Sequence, residues 1–260
     1  MTGCRAVLFD LFDTLVHFDR DRLPLIHVNG RSVRSTAGHL HDVFRPHAPD
    51  VDLPRFVDAL LWSWQEAERL RAVDHREVPA SRRFELLFQH LGLEPGVIAP
   101  EAVELLLQTH GRELSKASEF PPHHGPLLRR LARDYRLAVV SNFDYTPTAR
   151  RILDAAGITE LFGTIIVSDE VGWRKPKALI FEEACRRLAI EPGEALFVGD
   201  RADIDVVGAQ AVGMPVAWIN RAGEPLPPGI TPPSYDIRDL AELEGILARG
   251  SRGTSRASHE

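Results

Sequence analysis

Arg5-Ala-Val-Leu-Phe-Asp-Leu-Phe-Asp-Thr14 decides how the rest of the chain is read. A short apolar run ends in an acid at Asp10, followed by a second at Asp13 and a hydroxyl at Thr14. Such a run, bounded at once by polar groups, predicts a buried strand whose end carries chemistry. After Val16 the texture changes: no strand is expected from 17 to 120, and apolar residues recur at helical spacing over 56–71, 81–90 and 100–114. From Pro121 onward short apolar runs alternate with amphipathic stretches. Strands are expected at 137–140, 164–167, 195–198 and 216–219, with helices at 127–133, 148–156, 178–188, 205–212 and 240–248. That alternation predicts an α/β fold, a Rossmann-like doubly wound parallel sheet covered on both faces. The expected domains are a core of residues 1–16 and 121–248, an inserted all-helical cap over 17–120, and a disordered polar tail over 249–260. The insertion leaves from the end of the first strand, where open parallel sheets bind ligands, so a helical lid is expected there.

Composition narrows the function. A 44% apolar share is ample for a buried core and excludes a disordered chain. A net charge of -6 offers no basic footprint for nucleic acid. No apolar run approaches the ~20 residues that span a bilayer, and the N-terminus has no signal-peptide pattern. Cys4 and Cys185 make no disulfide framework or zinc cluster, which suits a reducing cytoplasm.

Polar groups follow the other strands too. Ser141-Asn142 follows the second, Gly199-Asp200 the fourth, with Asp203 and Asp205 just beyond, and Arg174-Lys175-Pro176 precedes a helix. Parallel strands point one way, so these groups can share one crevice. Carboxylates gathered there repel unless a cation sits among them, and an all-oxygen set suits Mg²⁺.

These residues resemble the haloacid dehalogenase superfamily, whose members are mostly phosphatases. Four motifs occur in order: Asp10-x-x-Asp13-Thr14 for the aspartate-x-aspartate-x-threonine motif, Ser141, Lys175, and Gly199-Asp200 with Asp205. The cap position fits the subgroup that carries its cap directly after the first motif. The resemblance implies that Asp10 is a nucleophile forming an aspartyl intermediate. It implies that Asp10, Asp200, the Phe12 carbonyl and Asp205 serve Mg²⁺. Ser141, Asn142 and Lys175 would hold phosphate, and Thr14 and Asp13 would shape the nucleophile loop. The sequence departs from the family at Phe12, where phosphatases carry an aspartate that protonates the leaving oxygen and then activates water. Family members that cleave carbon–halogen bonds also lack that acid.

The expected function is therefore a Mg²⁺-dependent phosphatase of small phosphorylated metabolites, acting as a monomer or homodimer. The alternatives are a carbon–halogen hydrolase and a low-turnover metal- and phosphate-binding protein. Other features have plainer readings. Asp203 is expected as an exposed helix-terminal acid, Trp62 and Trp64 as core packing, and His39, His41 and His47 as structural rather than a zinc cluster. Arg82 and Arg83 are candidates to read substrate charge.

Overall fold

The computed structural model describes residues 3–252. Its strands are β1 (Ala6–Phe9), β2 (His17–Phe18), β3 (Leu25–Val28), β4 (Arg31–Arg34), β5 (Ser118–Glu119), β6 (Arg136–Ser141), β7 (Phe162–Val167), β8 (Ala195–Gly199), β9 (Val216–Ile219) and β10 (Tyr235–Ile237). Its helices are α1 (Ala37–Phe44), α2 (Leu53–Asp74), α3 (Ala80–His90), α4 (Pro100–Lys116), α5 (His124–Asp134), α6 (Thr146–Ala155), α7 (Ser168–Val171), α8 (Ala178–Leu188), α9 (Val207–Ala211) and α10 (Glu242–Arg252).

The chain forms two compact units. One holds residues up to 17, 120–142 and those from 153 on, and the other holds 18–119 and 143–152. The first unit is built on a six-stranded sheet in the order β10-β9-β8-β1-β6-β7, paired in parallel throughout. β1 is central, and all four of its residues are buried, as a strand covered on both faces requires. Leu8, Val140, Phe181, Phe197 and Val206 belong to one continuous core on this sheet, with the Phe181 and Phe197 rings 5.0 Å apart edge to face. Phe9 pairs with Val139 on one side and Val198 on the other. The chain therefore emerges at Asp10, Ser141 and Asp200 along the same edge.

The second unit packs α1–α4 around Phe44, Phe56, Phe84 and Phe88, with the Phe44 and Phe56 rings 4.9 Å apart. α2 starts where Asp52 accepts the Arg55 N–H at 3.0 Å, and it ends at His75, which is left-handed. At Gly111 on α4 a Cβ would lie 1.9 Å from the Thr148 hydroxyl, so only glycine lets that helix approach residues 143–152.

Several features depart from the sequence reading. Residues 17–120 are not wholly helical, because β3 and β4 form an antiparallel hairpin. Its turn, Asn29-Gly30, has positive φ at both residues (51° and 72°), the combination a tight two-residue hairpin demands. The strands escaped notice because only Ile26 is buried among them, which leaves no apolar alternation to read. α1 was also not expected, and neither was β10, a three-residue edge strand. Finally, α10 continues to Arg252, so the tail expected to be disordered from 249 begins within a helix, and residues 253–260 lie outside the described residues.

Candidate active site

Asp10 is pinned at the end of β1 by its own N–H, which donates to the Val198 carbonyl at 2.9 Å. The loop behind it is tight. The N–H groups of Leu15 and Val16 both donate to Leu11 O, and Asp13 N–H donates to Val16 O at 2.6 Å. Asp13 sits at φ 55°, a left-handed conformation that aspartate tolerates better than most residues. Its carbonyl accepts from Arg221, and its side chain is exposed.

Lys175 is the hub of the site. It is only 3% exposed, and its ammonium lies 2.6 Å from Asp10 Oδ1 and 2.8 Å from Asp205 Oδ1. Asn142 fixes its backbone from both sides. Asn142 Oδ1 accepts the Lys175 N–H at 2.7 Å, and Asn142 Nδ2 donates to the Lys175 carbonyl at 2.9 Å. Asn142 was expected on phosphate; its amide is instead committed to holding Lys175.

Asp205 comes from a π-helical turn, Ala202–Val206, in which the Arg201 carbonyl accepts from both Asp205 N–H (2.7 Å) and Val206 N–H (3.3 Å). Such turns often mark functional sites. Asp205 Oδ2 accepts the Arg201 N–H at 3.0 Å. One Asp205 oxygen is thus held by that amide and the other faces Lys175, while Asp205 still presents an oxygen within 4.8 Å of oxygens of Asp10 and Asp200. Gly199 makes room for it, since a Cβ there would lie 2.3 Å from Asp205 Oδ2. Trp218 faces Gly199 in the sheet register, and its indole N–H donates to the Asp200 carbonyl at 2.7 Å.

Carboxylate oxygens of Asp10, Asp200 and Asp205 lie within 4.8 Å of one another. The electrostatic consequences are large. Burial pushes the Asp10 carboxyl up, Lys175 pulls it down and Asp205 pushes it up again, leaving it at about 6. Burial, with Asp10, Asp205 and Asp13 adding repulsion, lifts Asp200 to about 7. Burial disfavours the Lys175 charge, but Asp10 and Asp205 outweigh it and hold that pKa above its ordinary value. One ammonium thus serves three acids, and Asp200 makes no ion pair among the described residues.

The donor set fits a divalent cation of the hard, oxygen-preferring kind. Asp10 and Asp200 offer oxygens to it, and burial together with acid–acid repulsion raises both carboxyls. Beside it, the hydroxyls of Ser141 and Thr14 are fully buried and make no hydrogen bond among the described residues. Buried hydroxyls are ordinarily paired, so an unpaired one at a sheet edge is placed to bind something. Thr14 was expected to orient the nucleophile loop; its hydroxyl makes no hydrogen bond to that loop among the described residues.

The remaining candidates fall elsewhere. Asp203 is exposed and paired with Arg201 at 2.8 Å. In the second unit, Arg83 is buried on Asp144 at 3.1 Å and Arg82 pairs with Glu85 at 2.7 Å, so neither arginine is left to read a substrate. His41 Nε2 is 2.8 Å from the Val51 carbonyl, and His39 lies 3.5 Å from Glu113. Trp62 stacks on His90, with ring centroids 4.3 Å apart, while Trp64 is exposed rather than packed in a core. Trp218 and Arg221 were not foreseen. Their contacts depend on β9 lying beside β8, and strand order is not written in a single sequence.

Comparison with known proteins supports the motif reading. A family model for haloacid dehalogenase-like hydrolases matches residues 4–213. A glyceraldehyde 3-phosphate phosphatase of Methanopyrus kandleri is 31% identical over 54% of this chain and 59% of its own length. The chain thus spans little more than half of that curated relative. A putative HAD-hydrolase of Bacillus subtilis, YfnB, is 30% identical over 95% of this chain and 97% of its own. The crystal structure of a 2-haloacid dehalogenase from Pseudomonas syringae pv. Tomato DC3000 superposes with a TM-score of 0.68 at 25% identity, covering 95% of this chain and 99% of that one. With four motifs on one sheet edge and a family match over most of its length, the chain belongs to the haloacid dehalogenase-like hydrolases.

Proposed function

We propose that the protein is a Mg²⁺-dependent phosphatase of small phosphorylated metabolites. The observation that carries this reading is the geometry of the Asp10–Asp200–Asp205 cluster, whose oxygens lie within 4.8 Å of one another with one ammonium between Asp10 and Asp205, and in which burial and then the neighbouring carboxylates lift Asp200 to about 7. Asp10 and Asp200 would hold the metal. When bound, it would neutralise the carboxylates and the phosphoryl oxygens.

The chain's own residues do the rest. An Asp10 carboxylate oxygen attacks phosphorus while the ester P–O bond breaks, giving an aspartyl phosphate and a free alcohol once the leaving oxygen takes a proton. Water then attacks that phosphorus and regenerates the carboxylate. Lys175, 2.6 Å from Asp10 Oδ1, keeps the nucleophile ionised and offsets charge on the transferring group. The unpaired Ser141 hydroxyl is a donor for a phosphoryl oxygen. Phe12 can neither give nor take the proton, so good leaving groups are expected to react best. Release of inorganic phosphate from an aryl phosphate, dependent on Mg²⁺ and absent in Asp10→Asn, is the expected result. No release in either protein across a panel of phosphorylated metabolites would overturn the reading.

A second reading, hydrolysis of a carbon–halogen bond, is favoured by Phe12 and by the likeness to the 2-haloacid dehalogenase, because a halide leaves without a proton. Halide release from a 2-haloacid in the presence of a chelator, with no phosphatase activity, is the outcome that would select it.

A further inference from the structure

We propose that His123, His124 and Asp239 form a second metal site, suited to a transition-metal dication such as Zn²⁺. It lies in the first unit, where β10 leads into α10 and where α5 begins. One ligand atom from each residue lies within 4.8 Å of the others, and His123 Nε2 is 3.1 Å from Asp239 Oδ2. Ligand atoms on a tetrahedral Zn²⁺, bonded at ~2.0–2.1 Å, stand roughly 3.4 Å apart. Closing the set around an ion therefore asks for small side-chain movements only.

The orientation of His124 is the stronger argument. It is 1% exposed, and its Nδ1 lies 2.9 Å from the Leu15 carbonyl. A carbonyl can only accept, so Nδ1 carries the proton and Nε2 keeps its lone pair. A ring nitrogen donating to a backbone carbonyl is the arrangement that fixes tautomer and direction in metal-ligating histidines. Asp239 is oriented as well, with Oδ1 accepting the Ala241 N–H at 2.8 Å. His123 is half-exposed and opens the site to solvent, so water can complete the coordination.

The two clusters sort metals by chemistry. Oxygen-only ligands around Asp10 suit Mg²⁺, whereas two imidazoles and one carboxylate suit Zn²⁺ or Co²⁺. The carbonyl that His124 holds belongs to the loop following the nucleophile, so a bound ion would also fix that loop from behind.

The test titrates Zn²⁺ by calorimetry, and Co²⁺ by visible absorption, into the full untagged chain in saturating Mg²⁺. One equivalent of Zn²⁺ is expected to bind, with a Co²⁺ spectrum of tetrahedral character. His123→Ala and Asp239→Asn, at accessible positions, should each weaken binding about tenfold or more, while Asp200→Asn leaves it intact. Circular dichroism verifies folding, and His123→Gln serves should Asp239→Asn not fold. Failure of the wild type to bind Zn²⁺ in Mg²⁺ would overturn the proposal. So would equal affinity in all variants, meaning adventitious binding to surface histidines, or loss of binding in Asp200→Asn alone. In that case His123 and Asp239 form an ion pair and nothing more.

Discussion

Two buried charge clusters, one in each unit, are built from similar parts and behave oppositely. In the first unit Lys175 faces Asp10 and Asp205, and Asp200 stands beside them with no ion pair of its own. In the second unit Arg71 contacts Glu68, Glu77 and Asp144, and Arg83 contacts the same Asp144 oxygen. Every acid of the second cluster touches a guanidinium. Burial pushes the Asp144 carboxyl up, but Arg83 and Arg71 outweigh it and hold the acid below its ordinary value. In the first cluster burial wins, and Asp10 and Asp200 rise to about 6 and about 7. A buried network in which every acid touches a guanidinium is structural, whereas the first cluster sets three acids around one ammonium. His110, driven to about 3 by burial and by Arg83, also belongs to the second network, as a neutral ring 3.3 Å from Arg83.

The largest effect that separates the clusters is on chemistry. Asp10→Asn is expected to lower turnover by on the order of 10⁴-fold or more, as removal of a nucleophile does, with an unchanged circular dichroism spectrum. Single-turnover phosphate release measures it. Wild-type rates would move the nucleophile elsewhere.

The reverse dissociation is expected at Asp144. Asp144→Asn leaves Arg71 and Arg83 buried with one acid fewer, which costs about 3 kcal/mol or more. For a chain of this size that lowers the thermal midpoint by on the order of 10 °C. A calorimetric melt without such a fall would show that the second cluster is not the stabilising network its ion pairs imply.

An intermediate effect is expected from adding an acid to the cluster that already has too many. Phe12→Asp restores a proton donor where the family's phosphatases carry one, and general acids contribute ~10²–10⁴-fold. Turnover of alkyl phosphates should rise about 10²-fold relative to aryl phosphates, whose leaving groups need no proton. An unchanged alkyl-to-aryl ratio in the folded variant would assign the proton to another group, with Asp13 the first to test.

The readability of the molecule from its sequence follows the same division. The first cluster was legible because Asp10, Ser141, Lys175 and Asp200 each stand at a strand or helix end that apolar runs mark out, and parallel strands carry those ends to one edge. The second was not, because Arg71, Arg83 and Asp144 meet only through the packing of their unit, which no strand end or motif marks, and Arg83 was accordingly one of two candidates to read substrate charge. The role of Asn142 was missed for the same reason, since its amide completes its hydrogen bonds on Lys175, thirty-three positions away. The Asn29-Gly30 hairpin differs, because its turn signal was present and the weak burial of its strands masked it.

The smallest expected effect is also the most direct test of surplus acid, because a substitution in a functional site should stabilise the protein. Asp200 is raised from the usual carboxylate range to about 7. Between about pH 4 and pH 7 the folded chain therefore holds a proton that the unfolded chain has released, so stability falls as pH rises through that window. At pH 8 the ionised Asp200 is a net cost in the metal-free protein. Asp200→Asn removes the charge while keeping the shape. In a chelator at pH 8 its thermal midpoint should exceed that of the wild type by on the order of 5 °C, and the difference should shrink at pH 5, where wild-type Asp200 is protonated. Mg²⁺ should reverse the order at pH 8, because the ion stabilises the wild type by mass action and the variant hardly at all. A variant less stable than wild type in chelator at pH 8 would mean that the three acids already have the positive charge they need, and the contrast between the two clusters would collapse.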